Sequence, residues 1–86
     1  MQQYKNLSGE SNIASYQIGE DYIIVGFEAS KYSVAMFYKY TYAASGQNVI
    51  DHMKQLALHG AGLNSFINTH PVKKQYIAKG PSPEGL

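Results

Sequence analysis

The sequence predicts an α+β domain: a three-stranded antiparallel β-meander followed by two helices packed on one face. Two changes of rhythm carry that class. Tyr38, Tyr40 and Tyr42 alternate with Lys39 and Thr41, a period of two that belongs to a strand. Past Ala43, Ala44, Ser45 and Gly46, the residues Val49, Ile50, Met53, Leu56 and Ala57 recur at helical spacing. A third observation bounds the size. The chain has 86 residues and no cysteine, so neither disulfides nor zinc–thiolate sites staple it. Eight tyrosines and three phenylalanines are the bulky material for its core.

The first strand is expected over residues 12–18, with Ala14, Tyr16 and Ile18 on one face and Ile13, Ser15 and Gln17 on the other. Gly19, Glu20 and Asp21 read as a tight hairpin connection. Residues 22–27 are the strongest strand, β-branched and aromatic, with Ile23, Val25 and Phe27 sharing a face. Ile24 on the opposite face points to a central or doubly covered strand. Gly26 marks a bulge or the close approach of another element.

A long third strand is expected over residues 32–42. Val34, Met36, Tyr38, Tyr40 and Tyr42 have one parity; Ala35, Phe37, Lys39 and Thr41 have the other. Phe37 is out of phase with its polar partners. Either both faces are half-buried or a bulge near Tyr38 swaps them.

Ser45 is the expected N-cap of a helix running to His59, with Gly60 as its stop. The stripe of Val49, Ile50, Met53, Leu56 and Ala57 belongs on the sheet, whereas Leu58 points away from it. After the turn at Gly60, Ala61 and Gly62, the spacing of Leu63, Phe66 and Ile67 predicts a short second helix limited by Pro71. Residues 1–10 are polar and residues 79–86 are rich in glycine and proline. Both read as flexible ends around a single domain spanning 11–78.

Net charge is +1, from seven lysines against six acidic residues, and there is no arginine. Strong attraction to nucleic acid or to a membrane surface is not expected from that balance. Bidentate guanidinium forks for phosphate or carboxylate are unavailable. No apolar run approaches the roughly 20 residues needed to span a bilayer, and the start lacks the pattern of a signal peptide. The expected location is the cytoplasm.

No set of side chains converges in sequence on a reaction. His52 and His59 are seven positions apart, about 10 Å along a helix, too far to share one ion. Asp51 and His52 are adjacent and face different ways. Glu20 and Asp21 read as turn chemistry. Gly60 and Gly62 lack the context of a phosphate-binding loop and read as helix punctuation. The reading is a non-enzymatic protein without cofactor or metal.

Read in order, several motifs resemble the KTSC domain, a small bacterial module that also occurs at the C-terminus of some lysyl-tRNA synthetases. They are Ser11-Asn12-Ile13 with Tyr16; Ile23, Val25 and Phe27; Tyr38 and Tyr40; Gly62 followed by Asn64 and Ile67; and Tyr76. The resemblance covers residues 11 to 76. It implies no enzymatic activity, and RNA binding by analogy with the fusion partners.

Two functions follow as expectations. The first is an interaction module that binds another protein or itself. Its motivations are the tyrosine-rich composition, a second sheet face read as uncovered and the outward Leu58. The alternative is an RNA- or single-strand-binding module. The candidate interaction residues are Tyr38, Lys39, Tyr40, Tyr42, Leu58, Lys73 and Lys74. Whether the tyrosines form a stacking platform or fill the core is open at this level.

Overall fold

The β-branched and aromatic run Tyr22–Phe27 forms the middle strand of the sheet in the computed structural model of the protein, which describes residues 1–31 and 33–86. Among these residues the strands are β1 (Gln2–Gln3), β2 (Ile13–Ile18), β3 (Tyr22–Phe27), β4 (Met36–Thr41) and β5 (Ala78–Gly80). They pair antiparallel in chain order. Between β4 and β5 come helices α1 (Tyr42–Ser45), α2 (Gln47–His59) and α3 (Leu63–Thr69), then a 3-10 turn (Pro71–Lys74). The α+β class and the antiparallel sheet are as expected. The element count is not: the sheet has five strands and there are three α-helices. The two added strands are two and three residues long, too short for alternation to register in sequence. Tyr32, the expected first residue of the third strand, lies outside the described residues.

The helical segment also starts differently. Thr41, not Ser45, is the first cap, its Oγ1 accepting from the Ala44 N–H at 3.2 Å. The resulting four-residue α1 ends at Gly46, whose φ of 91° breaks it from α2. Ser45 sits at the end of α1, its hydroxyl buried without a hydrogen-bond partner. The far end of α2 is as expected, with Gly60 in the left-handed region returning its N–H to Leu56 O.

Segments from both ends of the chain contact the fold, within the ranges 1–10 and 79–86 read as flexible from sequence. Tyr4 is 3 % exposed and belongs to the core; its N–H donates to Ala14 O at 2.9 Å. Its hydroxyl receives the Leu63 N–H at 3.4 Å. Leu7 N–H donates to Gly60 O at 2.8 Å, tying the same segment to the end of α2. At the other end Ile77 N–H reaches Lys39 O, and β5 pairs with β4. One buried ring in a polar decapeptide carries no periodic signal, so composition alone points the other way.

The register settles the faces. Ile23 and Val25 of β3 lie opposite Tyr40 and Tyr38 of β4, and opposite Ile18 and Tyr16 of β2. A register shift between Ile13 and Ser15 brings Ile13 onto the same face as Tyr16, despite their opposite parities. Of the two alternatives for the third strand, β4 shows partial burial on both faces and keeps even register from Met36 to Thr41, while the bulge lies in β2. On this face pack Ile50, Met53 and Ala57 of α2, Leu63 and Ile67 of α3, and Val72 of the 3-10 turn.

Phe37 belongs to the opposite face, beside Gly26. A Cβ at Gly26 would stand 2.5 Å from Ser15 Oγ and 2.6 Å from the Phe37 ring, so this glycine marks a close approach. Ile24 on that face is 3 % exposed. Its cross-strand neighbours are Gln17 and Lys39, and Lys39 Nζ donates to Leu86 O at 3.1 Å. The second face is thus partly closed. No helix among the described residues is long and apolar enough to cross a membrane.

Lys54 joins the layers. Its Nζ donates to Gly19 O at 2.9 Å, Glu20 O at 3.2 Å and Tyr42 Oη at 3.0 Å. Three donors meet three acceptors, pinning α2 to the β2–β3 hairpin and to α1. Tyr42 in turn donates to Asp51.

Two stability outcomes follow. Met53→Ala, at a fully buried site, is expected to destabilise the domain by about 2–5 kcal/mol. Lys54→Met keeps the stem but removes the charged donors, with an expected loss of about 1–3 kcal/mol. Urea unfolding monitored by tyrosine fluorescence measures both; wild-type midpoints in either variant would refute the corresponding packing or staple.

Candidate functional site

Alternation along β4 sends Met36, Tyr38 and Tyr40 to the helix side, where they meet the C-terminal part of α3 and the 3-10 turn. The space left between these elements is a cleft of ≈ 410 Å³. That lies in the range of natural binding pockets. Phe27, the last residue of β3, and Glu28 just after it stand at one side of it, and Val34 stands at its mouth, 69 % exposed. Ile67, Asn68, Lys73, Lys74 and Tyr76 complete the opposite wall.

Local chemistry places that wall. His70 caps the 3-10 turn, its Nδ1 accepting the Val72 N–H at 3.0 Å, and Pro71 occupies the first turn position. Val72 is fully buried and works as a plug. Lys73 and Lys74 follow it directly, so the buried valine presents both ammonium groups outward. Phe66 lies between His52 and His70, with ring centroids 4.8 Å from each, and braces the turn against α2.

The aromatic rings of the cleft hold one another edge to face. Phe27 and Tyr38 are 5.6 Å apart at 89°, and Tyr38 and Tyr76 are 5.0 Å apart at 76°. Lys79 Nζ stands 5.7 Å from the Tyr76 ring centre. Burial pushes the Tyr40 hydroxyl above the ordinary phenol range, and repulsion from Tyr38 and Tyr76 adds to the shift. Among the described residues no group of three or more His, Cys, Asp or Glu side chains is placed to hold a metal ion.

Of the seven sequence candidates, the structure gathers four. Tyr38, Tyr40, Lys73 and Lys74 line the cleft. Tyr40 is 2 % exposed and belongs to the core, whereas Tyr38 is half-buried at its edge. Lys39 lies on the other sheet face, its Nζ 4.5 Å from the Tyr22 ring centre. Tyr42 belongs to the Lys54–Asp51 network. Leu58 is 53 % exposed on α2 and does not line the cleft. Sequence reasoning did not single out Val34, Met36 or Ile67 as site residues. Met36 was within reach, because it shares the parity of Tyr38 and faces Phe27 across the β3–β4 ladder.

Compared with known protein families, curated proteins and solved structures, the chain matches none.

The Tyr40 shift has a sign that can be checked. The folded state holds the phenol proton more tightly than the unfolded chain, whose tyrosines ionise near pH 10. This contribution is fully present below about pH 10 and is lost as pH rises from there through the higher folded value. Tyr40→Phe is therefore expected to flatten the alkaline fall in stability. Urea midpoints for both proteins at about pH 9 to 11 measure it; parallel curves would contradict the assignment.

Proposed function

We propose that the protein is a non-catalytic interaction module that binds another protein through the cleft between β4 and the 3-10 turn. The observation that carries this reading is the convergence of Met36 and Tyr38 of β4, Ile67 of α3 and Tyr76 beyond the 3-10 turn, three separate stretches of chain, on one open, largely apolar concavity. Apolar and aromatic concavities with a few polar groups at the rim are where side chains of a partner find complementary burial. The titratable side chains on its walls are Glu28, Lys73, Lys74 and three tyrosines, a set without an obvious nucleophile–base pair. The resemblance to the KTSC domain supports the same non-enzymatic class, since that family implies no activity. It rests on the ordered motifs from Ser11 to Tyr76.

The second reading is a module for RNA or single-stranded nucleic acid, favoured by Lys73, Lys74 and Lys79 beside Tyr38 and Tyr76. Base stacking uses open ring faces. Here Tyr40 is buried, and Tyr38 packs edge to face with two other rings. Those contacts leave less ring face for a base, so protein binding is the better-supported function.

Selection from an unbiased linear-peptide library is the direct test. Selected peptides are expected to perturb backbone amides at residues 27–28, 33–38, 67–68 and 73–76. Val34→Glu changes an exposed side chain at the mouth of the cleft. It is expected to weaken binding by about tenfold while leaving the unfolding midpoint unchanged. Failure to enrich any peptide, or perturbations confined to another surface, would argue against the cleft. Sedimentation of the free protein separates a foreign partner from a second copy of the chain.

A further inference from the structure

The cleft is not electrically neutral. Its walls carry two lysines and one glutamate, Lys73 and Lys74 against Glu28. Both lysines are exposed, and neither ammonium group makes a hydrogen bond or ion pair with another described residue. Two other lysines of the fold are engaged: Lys39 with Leu86 O and Lys54 with two carbonyls and Tyr42. Tyr40 stands deeper in the same concavity, 2 % exposed. It lines the cleft, and its hydroxyl makes no hydrogen bond to another described residue. The hydroxyl of a neutral phenol donates as well as accepts.

We propose that the cleft receives a linear segment of a partner protein that combines apolar side chains with a carboxylate. The apolar side chains lie on Met36, Tyr38 and Tyr76, and the carboxylate is held by Lys73 and Lys74. The inference rests on the binding-module reading and names the chemistry of its partner. An exposed lysine–carboxylate pair contributes little in open water. Beside an apolar floor that excludes water, the same pair is screened less, and two adjacent ammonium groups favour an anion over its neutral isostere. The apolar floor supplies burial; the lysines select and orient. Glu28 on the facing wall disfavours a second acid at that end, which sets a direction for the bound segment.

The probes are two blocked peptides titrated into the full chain, differing in a single carboxylate at one end: Asn-Leu-Phe-Asn-Leu-Glu and its amide counterpart Asn-Leu-Phe-Asn-Leu-Gln. Amide chemical shifts report site and affinity together. The acidic peptide is expected to perturb the residues around the cleft and to bind about tenfold more tightly than the amide peptide, with the gap narrowing as salt is raised. The exposed double variant Lys73→Glu/Lys74→Glu is expected to remove or reverse that preference, while Lys5→Glu, on a lysine that does not line the cleft, leaves it intact. Equal affinity of the two peptides at the cleft would overturn the carboxylate inference and leave the binding-module reading standing. Binding by neither peptide would overturn the inference, with the unbiased library deciding the module reading independently. A single-stranded oligouridylate that displaces the acidic peptide and binds more tightly would overturn both in favour of nucleic acid.

Discussion

The stripe of Ile50, Met53 and Ala57 on α2, pressed against Ile23, Val25 and Tyr40, is the contact on which the remaining structure depends. A chain this short, with no cysteine, has few other ways to bury enough apolar surface. Burial on one face imposes the register, because a slip by one residue would turn every inward side chain of a strand to the other side. β2 meets that demand with its bulge. Without the shift, Ile13 and Tyr16 could not both reach the core.

Polar interactions then hold the layers in place. Lys54 reaches from α2 to the carbonyls of the β2–β3 hairpin, and Tyr42 ties α1 into the same network. Tyr4 does a comparable job at the opposite end, inserting its ring into the core while its hydroxyl receives the N–H that opens α3. The short edge strands β1 and β5 extend the sheet with segments too brief to offer long pairing edges to another chain.

The candidate cleft is a by-product of the same packing. β4 spends one face on the helices, but α2 covers only part of it. Tyr40 is fully covered, Tyr38 half so, and Met36 lies beyond, opposite Phe27. The 3-10 turn closes the far side because Val72 is buried, and burial of Val72 presents Lys73 and Lys74 at the rim. The tyrosines therefore grade from core to site along a single strand. The choice between platform and filler has a different answer at each ring.

The α+β class, the hairpin at Gly19, the central strand at Tyr22–Phe27 and the long helix ending at Gly60 are legible in the order of residues alone. Those features rest on periodicity and on glycine chemistry, which act within a few residues. Residue type alone also brought Tyr38, Tyr40, Lys73 and Lys74 forward as candidates. That these four share a cleft, that Lys39 turns away from it and that Tyr42 serves a lysine network emerge from the packed fold. Strand parity separates Lys39 from its neighbours, but the face it takes depends on which side the helices choose. The roles of Tyr4 and of β5 were equally illegible, because each is set by a partner distant in the chain: Leu63 for the Tyr4 hydroxyl, and residues 37–39 for β5. Local pattern reports what a segment can become; long-range contact decides what it touches.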